Sequence, residues 1–528
     1  MTVDVARENA RIREKARKAA ARPRAVEVAV AARANLFVQP GGDTELAIGF
    51  RRGLHGRGLS VDYRQRLDDK LDYRLAHVLN PDVALAIQAA ASGRPYVITP
   101  LFEDFARFAV PSVVTASLFR RHLEDGDLAR LEAELASLRE SPISCDPPAD
   151  FAFAVEEAMA VLPTGAVEAE SLARHYPRLA RHEVLRLPFH RPDEASTPSG
   201  RLFEEAFGVK DFVLCVGRLE TRKNQLMLAH ALRDDERPLV FVNGGSSQPQ
   251  YEALCRRYER RGPTVFTGRL SDELLASAFC AASVHALPSW YELPGLVSLQ
   301  AAWAGCPVVA SDWGTLRDYL GDDAHYCAPD DPASIRVAVD AARAQERSTR
   351  GRERLAELTW ERAAEQLRPL YRRVLDQCGS KSGSRRLAER ARRATRRAQL
   401  LQAKAEAVLT AETDPAHALR LTAALLGELP ADPMVHYVRG VAALGTMQLE
   451  LAREHLAACV ERAPILEGKA YLYLYLILTE LGDVDGALSM LDRAELFFPF
   501  RGAEIDRLLA DYRAKAALRR RGGAAPHR

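Results

Sequence analysis

A chain of 528 residues, 47% of them apolar, is too long for a single core and reads as three globular parts. Its 73 basic and 71 acidic residues leave a net charge of +2, which excludes nucleic-acid binding through bulk charge and excludes wholesale disorder. The eight cysteines are scattered with no CxxC pair, so small core residues in a reducing compartment are expected rather than a disulfide framework or a zinc site.

Residues 1–25 are charged throughout, read as a helix and lack the apolar core of a secretory signal. No run approaches the roughly 18–20 apolar residues that span a bilayer, and a cytoplasmic protein is expected. From about residue 26 to 355, short β-branched runs alternate with longer helical ones, the mark of βαβ units and parallel sheets. The strand candidates are Leu36–Val38, Ser60–Tyr63, His77–Leu79, Tyr96–Thr99, Val184–Leu187, Phe212–Val216, Leu239–Val242, Val265–Thr267, Val284–Leu287 and Val308–Ala310. A polar break, RPDEASTPSGR (191–201), reads as a hinge between Rossmann-like domains at 26–195 and 196–358.

A helix is expected over 359–378 and a solvated basic linker over 379–400, where lipid or RNA contact is the rival reading. Residues 401–520 are helical and repetitive. Pro430, Pro464 and Pro499 are spaced by 34 and 35, each with Ala twelve residues before it (Ala418, Ala452, Ala487). This resembles the tetratricopeptide repeat, an array that offers a surface to a partner or to a second copy. A disordered tail is expected at 521–528. The fold class is therefore α/β, with two Rossmann-like domains followed by an all-α tetratricopeptide-like domain.

The chemistry concentrates in two loops. In FVLCVGRLETRKNQ (212–225) a buried strand ends at Gly217, and Arg218 and Lys223 follow before a helix. Ligands of open α/β sheets bind beyond the carboxyl ends of strands, where two cations suit a diphosphate; a solvated basic loop is the bland alternative. In SWYELPGLVSLQ (289–300) Glu292 precedes Pro294, and a helix opens near Gly295 with the N–H groups of Gly295, Leu296 and Val297 free for phosphate oxygens. Taken alone, Glu292 is either a partner of the helix dipole or an acceptor for ligand hydroxyls.

Together these loops, FTGRLSDELL and GCPVVASDWGTLRDYL resemble, almost continuously over 200–345, the carboxyl-terminal domain of family 4 (group 1) GT-B glycosyltransferases. The resemblance implies a retaining, metal-independent transferase that uses a nucleotide-diphosphate sugar as co-substrate, with no other cofactor. Arg218 and Lys223 would hold the diphosphate, Gly217, Pro294, Gly295, Leu296 and Val297 would form its cradle, and Glu292 would lie near the transferred sugar. Gly268, Arg269 and Leu270 would border the base. In the first half, LFVQPGGDTEL resembles the family's first strand and glycine-rich loop, so Gly41 and Gly42 would approach the ligand. YVITPLFEDF (96–105) has no His where the family often carries His-Asp, leaving Glu103 or Asp104 as acid-base candidates.

The family's second acid is here Gln300, which keeps a carbonyl acceptor but loses the charge, so altered ribose binding is expected. The acceptor would be a glycan, a lipid-linked molecule or a protein, with no nucleic acid and at most peripheral membrane contact. The competing expectation is a catalytically silent scaffold acting through its repeats. A dinucleotide oxidoreductase is disfavoured, because no GxGxxG opens a helix after a strand.

Overall fold

The computed structural model describes residues 26–38, 41–67, 72–80, 82–191, 199–246, 248–500 and 503–522. The expected helix at 1–25, most of the 191–201 break and residues 523–528 of the tail lie outside them. The first sheet holds β1 (Val26–Ala31), β2 (Val61–Arg64), β3 (Tyr73–Leu79), β4 (Tyr96–Thr99) and β5 (Ala160–Val161) in the order β2-β1-β3-β4-β5. The second holds β6 (Val213–Val216), β7 (Leu239–Val242), β8 (Thr264–Gly268), β9 (Val284–Leu287), β10 (Val308–Ser311) and β11 (His325–Cys327) in the order β11-β10-β9-β6-β7-β8. Every pairing is parallel. Central strands are covered on both faces and read as continuous apolar runs, as in Val213–Val216.

Two expected strands differ. The first strand is Val26–Ala31, and Leu36–Val38 lies in the turn that follows it. Val184–Leu187 forms no ladder: Glu183 N and Leu185 N donate to Val161 O and Pro163 O at 3.1 and 2.8 Å, and one bridge pairs Val161 with His182.

The helices that position the site and the later domain are α1 (Gly42–His55), α2 (Val83–Ala91), α3 (Phe105–Asp125), α4 (Leu128–Glu140), α5 (Leu296–Trp303), α6 (Pro332–Ala344) and α7 (Trp360–Gly379). Then come α8 (Lys381–Thr410), α9 (Pro415–Glu428), α10 (Pro433–Gly445), α11 (Leu449–Arg462), α12 (Lys469–Glu480), α13 (Val484–Phe497) and α14 (Ala503–Gly522). Helix α7 returns to the first domain and packs on α1. It does so because position 49 has no side chain: a Cβ there would stand 2.2 Å from the Trp360 ring.

Helices α3 and α4 follow a strand of the first sheet yet pack on the second. Val110, Val114, Phe119, Leu131 and Leu135 share one buried cluster with Cys215, Leu226, Phe241 and Ile335. The same cluster runs into the later helices, where Ser117 and Arg120 of α3 donate to the carbonyls of Leu496 and Pro499. The basic run keeps most of its cations exposed, yet it is not free of the body: α8 docks on α2, buries Ala394, and sets Arg393 Nε and Nη2 at 2.6 and 2.8 Å from the Glu157 carboxylate. Its Lys404 reaches Asp432 at 2.6 Å. Among the described residues no helix is long and apolar enough to cross a membrane.

Candidate functional site

Strand order reverses between β6 and β9, since β7 and β8 continue on one side and β10 and β11 on the other. A crevice opens beyond the carboxyl ends at such a point. The loops leaving β6 and β9 are the two singled out in the sequence.

Asn224 ties them together. It takes the left-handed conformation at φ 61°, which Asn tolerates, and its Nδ2 donates to Pro288 O at 3.0 Å and Pro329 O at 2.7 Å. The turn Thr221–Lys223 before it aims two cations into the crevice. Lys223 lays its stem along Gly217, where a Cβ would be 3.7 Å from Lys223 Cδ. The β9 loop is braced by Gly314, whose φ is 117° and whose missing Cβ would sit 2.3 Å from Glu292 O. Thr315 N donates to that same oxygen at 3.0 Å.

Lys223 Nζ stands 2.5 Å from Glu292 Oε1, and Arg222 Nη1 stands 3.5 Å from it. Arg222 also meets Tyr291 O at 3.0 Å, Glu220 Oε1 at 3.1 Å and Glu103 Oε1 of the first domain at 3.1 Å. Burial alone would push the Glu292 carboxyl up, but the Lys223 ammonium and the Arg222 guanidinium outweigh it and hold Glu292 below the usual carboxylate range. For Glu103 burial wins over Arg222, and its carboxyl is raised. Arg218, with half its side chain exposed, pairs with Glu220 at 3.4 Å and remains open to a ligand.

Helix α5 begins at Gly295, φ 77°, so Leu296 and Val297 present their amides at its mouth after the cis Leu293–Pro294 bond. From the first domain, the Gly41–Gly42 turn arrives opposite: a Cβ on Gly42 would be 3.5 Å from Leu296 Cδ1. Glu168 orients the neighbouring loop by accepting from the amides of Phe102 and Thr164, both at 2.6 Å, and burial pushes its carboxyl up to about 7.

Of the two acid candidates there, Glu103 enters the crevice and Asp104 does not. Asp104 is buried and engaged by Ser171 at 2.8 Å and His175 at 2.9 Å. Gln300 lies further along α5 and donates to His190 O at 3.2 Å. Gly268 ends β8 and Arg269 and Leu270 follow it at the sheet edge, two strands from β6.

Sequence reasoning missed Arg222 and the aromatic wall. Phe108 of α3 stacks on Tyr291 with centroids 5.8 Å apart, Trp290 is buried beside them, and the Arg107 guanidinium lies 3.8 Å over the Trp313 ring. Arg222 was visible as a second cation next to Lys223; that a first-domain helix supplies the wall was not.

Residues 210–343, within the 200–345 stretch that carries the resemblance, match the family profile described as glycosyl transferases group 1. The second domain is thus similar to a group 1 glycosyltransferase. An uncharacterized glycosyltransferase of Methanocaldococcus jannaschii is 33% identical over 147 residues, 26% of this chain and 38% of that protein. The glycogen synthase of Mycobacterium tuberculosis is 33% identical over 172 residues, 30% of this chain and 42% of its own length. The chain therefore spans less than half of these two relatives. A sucrose-phosphate synthase structure from Thermosynechococcus elongatus aligns with 66% of this chain and 99% of its own at 19% identity and a TM-score of 0.48.

Proposed function

We propose that the protein is a retaining, metal-independent family 4 glycosyltransferase that moves a sugar from a nucleotide-diphosphate sugar to a glycan, lipid-linked or protein acceptor. The observation that carries this is that the loops leaving β6 and β9 at one switch point bring Lys223 against Glu292, beside the start of α5, with Arg218 on the same β6 loop half exposed. The diphosphate sits at the helix mouth, and the two cations take up the charge that grows as the sugar leaves. Glu292 accepts hydroxyls of the transferred sugar.

Polysaccharide biosynthesis in the cytoplasm suits this chemistry. The tetratricopeptide-like helices already spend α13 on α3 and α8 on α2, which leaves their opposite face for a partner or acceptor.

Thermal shift with UDP, ADP and GDP, followed by hydrolysis of the matching nucleotide sugars with and without chelator, tests the proposal. A ligand of the folded state raises apparent stability by mass action. Hydrolysis that resists chelation and falls about 100-fold in Arg218→Ala is expected. Equal rates in the two proteins would refute it.

A further inference from the structure

The Lys223 ammonium is committed to Glu292 at 2.5 Å. A diphosphate arriving at Gly295 and Leu296 competes for that ammonium. Once Lys223 turns to phosphate, Glu292 is a carboxylate with only 13% of its side chain exposed, and a buried carboxylate without a cation takes up a proton or moves. A second cation is already in place.

Arg222 Nη1 is 3.5 Å from the same Glu292 oxygen. Its guanidinium is fixed by Glu103 at 3.1 Å, Glu220 at 3.1 Å and Tyr291 O at 3.0 Å. Nη1 faces Glu103, Tyr291 O and Glu292 while Nη2 faces Glu220, so the planar guanidinium is held from two sides and keeps its charge beside Glu292, a fixed orientation that a single-nitrogen lysine lacks. We propose that Arg222 is a positioning residue that keeps Glu292 charged and aimed at the transferred sugar while Lys223 passes to the diphosphate, and that Glu103 of the first domain holds Arg222 for this task. The assignment rests on the donor pocket proposed above. It makes handling of the sugar depend on the first domain although the donor binds to the second.

The test compares wild type with Arg222→Ala, Arg222→Lys and Glu103→Gln. Dissociation constants for UDP, ADP and GDP are measured, then kcat for UDP-glucose, ADP-glucose and GDP-mannose hydrolysis from about pH 4.5 to about pH 8.5, across the carboxylate range. Nucleoside diphosphate affinity is expected to stay within about threefold throughout, since no phosphate contact is lost. In Arg222→Ala, kcat falls about 10- to 100-fold as Glu292 loses the cation that stays beside it. Its acid limb moves up by about one pH unit, because Glu292 then protonates more readily.

Arg222→Lys recovers part of the rate, and Glu103→Gln lowers kcat by less than Arg222→Ala does, with nucleoside diphosphate affinity kept. These two milder variants decide the matter if Arg222→Ala does not fold. Loss of nucleoside diphosphate affinity in step with kcat would make Arg222 a phosphate ligand and overturn the assignment, as would an unmoved acid limb. A wild type that binds none of the diphosphates and turns over none of the sugars would overturn the donor pocket itself.

Discussion

Lys223 Nζ and Glu292 Oε1 stand 2.5 Å apart, each with 13% of its side chain exposed, at the point where the second sheet reverses its strand order. An ion pair this buried is costly to break from one side, because the remaining charge loses its partner.

The first prediction concerns pH. The Glu292 carboxyl is depressed in the folded protein, so its contribution is fully present above the unfolded carboxylate value and is lost as pH falls through the folded one. Glu292→Gln is expected to lose about 2–4 kcal/mol at neutral pH, with the gap to wild type narrowing in acid. Urea unfolding at about pH 7 and about pH 4 measures both. A gap that is the same at the two values would mean that Glu292 is not ionised in its pair.

Glu45 behaves in the opposite sense. It projects from α1 toward Asp272 of the second domain, one carboxylate oxygen has no hydrogen-bond partner, and burial, with Asp272 adding to it, pushes the carboxyl up to about 7. A raised carboxyl opposes folding as it ionises, so stability falls as pH rises from about 4.5 through about 7. Glu45→Gln removes that penalty. The variant is expected to melt higher than wild type at about pH 8 and together with it at about pH 4, with a difference of about 1–3 kcal/mol. Calorimetry at the two pH values decides.

The Gln300 amide donates to His190 O at 3.2 Å. Gln300→Glu sets a carboxylate against that carbonyl and adds a charge at the position expected beside the donor ribose. The expected result is a changed dissociation constant for the nucleotide sugar, by about tenfold, with kcat less affected. Titration with several nucleotide sugars reads it, and constants unchanged for all of them would remove position 300 from the donor site.

The sequence disclosed the loops better than the packing. Gly217 to Asn224 and Ser289 to Leu296 announce themselves locally, because a strand end, a glycine and a helix start are neighbours in the chain. Helix α3 was legible as a helix, but amphipathic spacing does not say which sheet receives the apolar face, and Val114 and Phe119 lie against the second domain. Arg222 escaped for a related reason: its significance comes from Glu103, 119 positions earlier in the chain. Val26–Ala31 follows a charged segment directly and carries Glu27, which hides in the sequence a strand that lies inside its sheet, between β2 and β3. The docking of the basic run of α8 is not legible in the run itself, since its acidic partners Glu157 and Glu428 lie far from it in sequence.

The later helices brace the two-sheet body, and that too is testable. Ser117 and Arg120 of α3 bind the last carbonyls around α13, Asp146 N donates to Arg462 O at 2.8 Å, and Phe500 meets Tyr251 edge to face at 6.1 Å. Removing residues 415–528 uncovers these contacts and the apolar face of α3, so the shortened chain is expected to associate or to melt on the order of 10 °C lower. The double variant Ser117→Ala with Arg120→Ala removes only the polar contacts and is expected to cost about 1–3 kcal/mol with the chain still monodisperse. Gel filtration and thermal melts of both proteins are the measurement. A shortened chain that stays monodisperse with an unchanged melting temperature would show that the helices hang from the body without supporting it.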